Sequence, residues 1–392
     1  MPDHFLATGM LPDHYEQLAK TVRDFAQSVV APVAAKHDAD KTFPYEVVSQ
    51  MADMGLFGLP YPEQYGGMGG DYFAVCLAIE ELARADSSVA ITLEAGVGLG
   101  SMPIYRFGSE EQRQEWLPAL AAGERLGAFG LTEPGGGSDA GATRTKAVLT
   151  GGTDGSWTIN GTKAFITNSG TDITSVITTL CVTGERPDGR KELSSIVVPV
   201  PSAGLSLSQP YDKVGWHASD TREVGYSDVV VPEGNLLGER GRGYANFLQT
   251  LDEGRIAISA LAVGLAQACV DESVAYAKTR EAFGAPIGRN QAIQFMIADM
   301  EARTHVARTA YYDAASRMMA GQPFKKEAAI AKLVSSTTAV DNARAATQVF
   351  GGYGFMNEYA VARHWRDSKI LEIGEGTSEV QRMLIARDLG LG

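Results

Sequence analysis

The sequence has little of what several large classes of protein depend on. Its 392 residues include only three cysteines, Cys76, Cys181 and Cys269, which lie far apart and form no Cys-x-x-Cys motif. A scattered, odd-numbered set of thiols does not provide a disulfide framework and fits a reducing cytoplasm. The six histidines contain no pair spaced i, i+4, so we expect no zinc-binding helix and no metal site. The Gly-x-Gly-x-x-Gly motif of a Rossmann dinucleotide fold is also absent.

Positive charge and long apolar runs are scarce as well. There are 34 Lys and Arg residues against 47 Asp and Glu residues, a net charge of -13. We therefore expect no binding to nucleic acid, which requires a basic surface. The N-terminus lacks a signal-peptide pattern and no apolar run approaches the roughly 20 residues of a membrane helix. These features predict a cytoplasmic protein with no membrane segment, long enough for two or three domains.

Hydrophobic periodicity divides the chain into three parts. Residues 11–128 have helical spacing, with an apolar stripe at Leu18, Val22, Phe25, Val29 and Val30. Between 129 and 240, Gly, Thr, Val and Pro dominate, and the pair Asn160-Gly161 predicts a β-hairpin turn. Helical spacing returns after 240, with helices expected over about 247–279, 291–320, 325–349 and 380–389. We predict an α+β fold with an all-α domain at 1–128, a β domain at 129–240 and a helical bundle at 241–392.

One carboxylate near the C-terminus has an unusual setting. Glu375 stands between two glycines and just before a predicted helix. Thr377 or Ser378 can cap that helix, and Gln381 would complete a capping box from Ser378. A carboxylate held at a helix start can act as a positioned general base. The alternative is that Glu375 is a solvated acid, as is common near helix starts.

Five segments in a fixed order strengthen the functional interpretation. They are Leu131-Thr132-Glu133-Pro134-Gly135-Gly136-Gly137-Ser138-Asp139, Phe165-Ile166-Thr167-Asn168, Arg280-Glu281-Ala282-Phe283-Gly284, Gln348-Val349-Phe350-Gly351-Gly352-Tyr353-Gly354 and the turn around Glu375. Together they resemble the signatures of the acyl-CoA dehydrogenase flavoproteins, over nearly the whole chain. The resemblance implies an N-terminal helical domain, a central antiparallel β domain and a C-terminal four-helix bundle.

The resemblance also assigns binding residues. It implies contacts with FAD from Phe129, Leu131, Thr132, Ser138, Phe165, Thr167, Arg280, Phe283, Gln291, Gln348, Gly351, Gly352, Thr377 and Glu379. It implies contacts with the acyl-CoA substrate from Ser138, Asp252, Arg255 and Gly376. Each segment also has a simpler explanation: a flexible Gly-Pro turn, a core-facing strand aromatic, a solvated arginine or a weak i, i+3 ion pair.

The resemblance assigns catalysis to Glu375. It would remove the α-proton of a saturated acyl thioester while the β-hydride passes to FAD, giving the trans-2-enoyl-CoA. Some branches of the family carry the base at the position of Gly254, which here has no side chain. The resemblance further implies a homotetramer that passes electrons to an electron-transfer flavoprotein. Family members often have Trp at the position of Phe165 and Tyr at the position of Gly374, so acyl chain length and branching stay open.

Two alternatives remain at this point. The same fold supports flavin oxidases and monooxygenases, although a typical oxidase is much longer and a monooxygenase would not need Glu375. A catalytically silent scaffold that binds flavin or CoA is the other alternative, and the presence of Glu375 and Arg255 argues against it.

Overall fold

The first third of the protein is helical. A computed structural model describes residues 11–151 and 155–391. Its N-terminal helices are α1 (Asp13–Phe25), α2 (Ala31–Asp40), α3 (Tyr45–Asp53), α4 (Tyr72–Ala83), α5 (Ser87–Glu94), α6 (Met102–Phe107) and α7 (Glu110–Ala121). Side chains that accept hydrogen bonds from free amides start three of them: Asp71 caps α4, Asp86 caps α5 and Ser109 caps α7. α4 and α5 are buried along their whole length, so they form the centre of this part.

The middle of the chain forms one large sheet. Its strands are β1 (Leu126–Gly130), β2 (Lys146–Thr150), β3 (Ser156–Thr167), β4 (Thr174–Glu185), β5 (Lys191–Pro199), β6 (Leu205–Leu207), β7 (Thr221–Pro232) and β8 (Leu236–Leu237). The strand order is β6-β7-β3-β2-β4-β5-β8, and β1 pairs with β4. Most neighbours are antiparallel as predicted, but β1 and β2 each run parallel to β4. The sheet is therefore mixed.

The predicted hairpin turn at Asn160-Gly161 is wrong. Both residues lie inside β3, where the register with β7 shifts. Gly161 has φ +150°, and a Cβ there would lie 2.6 Å from the Thr145 hydroxyl. The glycine thus permits a close crossing at a bulge rather than a turn. Asn160 supports the bulge, because its side chain exchanges two hydrogen bonds with Asp228 (2.8 and 2.9 Å).

The C-terminal part is a bundle around one long helix. Its helices are α8 (Gly243–Thr279), α9 (Gln291–Met319), α10 (Lys325–Phe350), α11 (Ala360–Ser368) and α12 (Ser378–Asp388), and the short strands β9 (Glu281–Ala282) and β10 (Ala285–Pro286) form a hairpin after α8. Within the described residues α8 alone is long and apolar enough to cross a membrane, but 83% of its apolar window is buried inside the protein. Its length and apolarity are those of a core helix.

Four clusters of buried apolar side chains occur among the described residues, and the two largest contain the cysteines. The larger core joins the N-terminal helices to the bundle and contains Cys76 and Cys269. The smaller core lies within the sheet and contains Cys181. All three thiols are buried and free. The element bounds follow the predicted order, while the domain limits near residues 128 and 240 stay predictions.

Candidate active site

Glu375 lies in a short, tightly fixed turn before α12. Its backbone has φ 53°, a left-handed conformation that is rare for a side chain of this size. The next carbonyl, that of Gly376, accepts hydrogen bonds from Lys332 Nζ (2.8 Å) and Gln381 Nε2 (2.9 Å). Both donor side chains are fully buried. The turn that carries the carboxylate is thus held by α10 and α12 together.

The predicted capping box at the start of α12 is wrong. Thr377 is the N-cap, since its hydroxyl accepts from the Val380 amide (3.3 Å). Ser378 is already the first helical residue. The Gln381 side chain instead turns back and donates to the Gly376 carbonyl. A buried carbonyl of this kind needs a donor.

Gly254 on α8 leaves the space in which the Glu375 carboxylate lies. A Cβ at residue 254 would lie 2.6 Å from Glu375 Oε2 and 3.5 Å from a Leu99 methyl. Leu99 belongs to a π-helical segment, Ala95–Ser101, that continues α5. Such π segments often occur at functional sites. The carboxylate therefore faces a space bounded by α8 and this segment.

The surroundings of Glu375 adjust its acidity. Burial is the largest effect and raises its pKa to about 7, although the positive charges of Lys332 and Arg255 and the neighbouring Glu94 carboxyl oppose the rise. Burial lowers the pKa of Lys332 to about 8, against the attraction of Glu375. A carboxylate that titrates near neutral pH suits general-base catalysis.

Glu94, at the end of α5, is a site residue that the sequence analysis missed. It is fully buried, and neither carboxyl oxygen receives a hydrogen bond from a described donor group. Burial and the neighbouring Glu375 raise the pKa of Glu94 well above its usual range. An acid inside the apolar run of 89–99 was a usable signal, because such an acid must be paired or protonated.

Asp252 and Arg255 form a buried ion pair on α8. Both residues are less than one-tenth exposed, and their side chains are joined by a short hydrogen bond. Lys325 reaches the other Asp252 oxygen at 3.0 Å. Arg255 Nε is buried without a described partner. The pair is therefore not the weak surface pair of the alternative explanation.

A buried lysine fixes the loop predicted to line the flavin. Lys163 Nζ donates to the carbonyl of Leu131 (3.0 Å), the carboxylate of Glu133 (2.8 Å) and the hydroxyl of Thr143 (2.9 Å). Burial alone would raise the pKa of Glu133, but hydrogen bonds from Lys163 and Thr143 outweigh it and hold the pKa at about 2. The sequence analysis missed Lys163, since a lysine within a strand gave no sign of burial.

Aromatic side chains stand beside this loop. The rings of Phe129 and Phe247 stack with centroids 4.1 Å apart. The amide of Ala164 donates to the Thr132 carbonyl (2.8 Å), which brings the loop against β3. The next residue, Phe165, has φ 60° and is 64% exposed, so it does not face the core. Exposed apolar rings at a strained position indicate a binding surface.

A second predicted group lies on the bundle. Arg280, Gly351 and Gly352 line one open cavity of about 600 Å³, together with Tyr276, Tyr353 and other apolar residues. The Arg280 guanidinium lies 5.5 Å from the centre of the Tyr353 ring. Phe283, at the β9–β10 hairpin, has φ 54° and is fully exposed. The remaining predicted residues are at the surface or half-buried: exposed are Ser138, Gln291, Gln348 and Glu379, and half-buried are Thr167 and Thr377.

Comparisons with known proteins cover the whole of this architecture. Three family models match: the N-terminal domain of acyl-CoA dehydrogenase at 12–124, its middle domain at 128–229 and its C-terminal domain at 241–390. The chain is 47% identical to a probable acyl-CoA dehydrogenase, YngJ, of Bacillus subtilis, over 97% of this chain and 98% of the relative.

Solved structures give the same result. Butyryl-CoA dehydrogenase from Megasphaera elsdenii matches with a TM-score of 0.93 and 40% identity, over 97% of this chain and 99% of the other. A chain from a structure described as the electron transferring flavoprotein of Acidaminococcus fermentans matches with a TM-score of 0.93 and 38% identity, over 97% and 98%. The protein belongs to the acyl-CoA dehydrogenase family, and it is therefore an oxidoreductase.

Proposed function

We propose that this enzyme is an FAD-dependent dehydrogenase of short-chain acyl-CoA thioesters, with Glu375 as its base. The observation that carries the proposal is the Glu375 carboxylate, which faces the space left by Gly254 from a turn whose Gly376 carbonyl is held by Lys332 and Gln381. The relative from Megasphaera elsdenii, which is named for butyryl-CoA, supports a short acyl chain.

The residues at the site divide the work of the reaction. Glu375 removes the α-proton, and because its pKa is raised to about 7 it holds that proton better than an ordinary carboxylate. Its own amide is our candidate donor to the thioester carbonyl as negative charge develops there. Arg255, buried with one unpartnered nitrogen, and Asp252 would hold the CoA portion, and we assign Ser138 and Gly376 to the same substrate from the family resemblance.

The residues expected to bind FAD fit a flavin. The exposed Phe165 ring and the loop at Leu131 and Thr132 present an apolar and hydrogen-bonding edge for the ring system. Arg280 and the open cavity beside Gly351 suit the charged pyrophosphate, which arginine binds well. When bound, FAD supplies the acceptor for the β-hydride.

Anaerobic bleaching of the flavin by butyryl-CoA tests the assignment of the base. We expect Glu375→Gln to keep FAD and to lose 10²-fold or more in bleaching rate, since a general base contributes roughly 10²–10⁴-fold. For the wild type, kcat/KM should rise with pH through about 7, as the carboxylate ionises. Bleaching of the Gln variant at the wild-type rate would refute this role, and a panel with isobutyryl- and octanoyl-CoA would show whether the short chain is right.

We further propose that the electron acceptor is an electron-transfer flavoprotein and not dioxygen. The related chain from the Acidaminococcus fermentans structure, which is described as an electron transferring flavoprotein, supports this. Turnover under air should form little peroxide and should increase strongly when a ferrocenium dye or purified electron-transfer flavoprotein is added. Equal rates of peroxide formation and dye-coupled turnover would favour the oxidase alternative. We also propose that the enzyme is a homotetramer and that it acts in the cytoplasm.

A further inference from the structure

Three buried polar groups near Glu375 have no described hydrogen-bond partner. They are the Tyr72 hydroxyl, both carboxyl oxygens of Glu94 and Glu375 Oε2. Tyr72 and Glu94 are close together, since a Cβ placed on Gly98 would lie 2.9 Å from Tyr72 Oη and 3.1 Å from Glu94 Oε1. Glu94 and Glu375 in turn interact directly, and each affects the pKa of the other. Buried polar atoms without partners are costly, so several in one place call for a physical explanation.

The missing partner can be a proton. Two ionised carboxylates cannot donate to each other, whereas one protonated carboxyl can donate to the other and satisfy both. Carboxyl pairs that share one proton are a known arrangement, because two like charges so close cannot both ionise. Glu94 and Glu375 are within hydrogen-bonding reach of each other.

The surrounding charges decide which carboxyl keeps the proton. Lys332 on α10 and Arg255 on α8 both stabilise a negative charge on Glu375. The titratable groups that interact with Glu94 are Glu375, Tyr72 and, on the same helix as Tyr72, Cys76, and the acidic Glu253 also interacts with Tyr72. Burial raises the pKa of Tyr72 well above its usual value, so that this phenol is neutral. Among the described residues no cation forms an ion pair with Glu94.

We propose that Glu94 is protonated at neutral pH and donates a hydrogen bond to the Glu375 carboxylate, so that the two residues hold one proton between them. Glu94 is a positioning residue: it aims the carboxylate of the base and stabilises its ionised form. The proposal rests on Glu375 as the base for its catalytic meaning, but the shared proton itself exists independently of the reaction.

Infrared spectroscopy of the holoenzyme detects the proton directly. At pH 8 we expect the wild type to show a protonated-carboxyl stretching band that disappears in Glu94→Gln and remains in Glu375→Gln. The matched control is Glu253→Gln, which removes another buried acid. Glu253 lies on α8 and forms an ion pair with Arg106 of α6 at 3.2 Å. The Glu94 band should remain in this variant. If the Glu94→Gln difference spectrum lacks a lost carboxyl band, Glu94 is ionised and the proposal is wrong.

The pH profile of kcat/KM then tests the effect on the base. Glu94→Leu removes the donor, so the acid limb should move to higher pH by about one unit, the value of one hydrogen bond to a charged group. Glu94→Gln keeps a donor and should keep the limb near its wild-type position. A shift to lower pH in the Leu variant would mean that an ionised Glu94 had been repelling the base, which would overturn the proposal.

The two experiments separate this proposal from the proposed function. If Glu375→Gln still bleaches its flavin at the wild-type rate, the base is misassigned, yet the infrared band still reports whether Glu94 holds a proton. If Glu94→Leu does not fold, the nearly isosteric Glu94→Gln and its spectrum decide the question alone.

Discussion

At the scale of single residues, Gly254 shows how a missing side chain can be functional. Its place on α8 is occupied by the carboxylate of a residue 121 positions further along the chain, Glu375. The glycine costs α8 about 1 kcal/mol relative to alanine. We attribute the presence of this glycine to the space that the carboxylate of Glu375, the proposed base, needs.

Gly254→Ala should therefore lower activity far more than stability. The new Cβ would displace Glu375 Oε2 from a 2.6 Å approach, and the tip of a flexible side chain can move at little cost in folding. A displacement of about 1 Å in a catalytic group can cost about 10²-fold in rate. We expect a loss of 10-fold to 10²-fold in kcat/KM, with FAD content unchanged and the melting temperature unchanged or slightly raised, because alanine favours the helix.

The matched control for this prediction is Gly234→Ala. No atom lies within 4 Å of a Cβ at that position, which is in the 3₁₀ turn between β7 and β8. It should be neutral in both measurements. Full activity in Gly254→Ala would show that the carboxylate works from another position.

At the scale of secondary-structure elements, Lys163 on β3 fixes the loop after β1, which we propose lines the flavin. Lys163→Met should break a buried ion pair and leave Glu133 unpaired, a change that typically costs 3–5 kcal/mol in the free energy of unfolding. Because the same lysine holds the Leu131 carbonyl, we expect FAD to be lost more readily. Thermal denaturation and flavin content of the purified protein measure both effects.

Lys146→Met on the neighbouring strand β2 is the control, since Lys146 is exposed. A Lys163→Met protein that matches this control in melting temperature and flavin content would contradict the role given to the buried lysine.

The strands and helices also show what could be predicted from the sequence. Long helices such as α8 and α10 were predicted because apolar residues repeat with the helical period over many turns. The bulge at Asn160-Gly161 could not be predicted from the local sequence, since the residues that contact it, Thr145 and Asp228, are distant in sequence. The parallel pairing of β1 and β2 with β4 is non-local for the same reason.

The active site divides in the same way. Glu375 and Gly254 could be singled out because the family motif and the missing side chain are visible in the sequence. Lys163 and Lys332 could not be placed, because their importance comes from burial beside charges on other elements, and Glu94 left only the signal of an acid within an apolar run. The positions that the sequence analysis missed are thus those whose function depends on tertiary contacts.

At the scale of the whole molecule, large apolar side chains are exposed around the bundle cavity. Phe283 is fully exposed and Phe355 is 83% exposed. Apolar surface of this kind in an otherwise well-packed protein marks an interface with a partner or ligand. We propose that FAD and a second subunit of the homotetramer meet there.

Arg280→Ala should accordingly reduce FAD content and the fraction of tetramer together. A ligand bound across an interface stabilises the assembled form by mass action, so losing one weakens the other. Size-exclusion chromatography and flavin absorbance measure the two quantities, with Arg190→Ala as the control at an exposed arginine of the β domain. A variant that loses FAD yet remains a full tetramer would separate the two.

The three buried thiols have a practical consequence. Cys76 and Cys269 sit in the helical core and Cys181 in the sheet core, and burial raises the pKa of Cys181 to about 12. A thiol reacts as the thiolate and only when reagent can reach it. Alkylating agents should thus leave the native enzyme unmodified. Under partly denaturing conditions they should modify the cysteines of whichever core unfolds first. The order in which the three cysteines become alkylated would therefore show where unfolding begins.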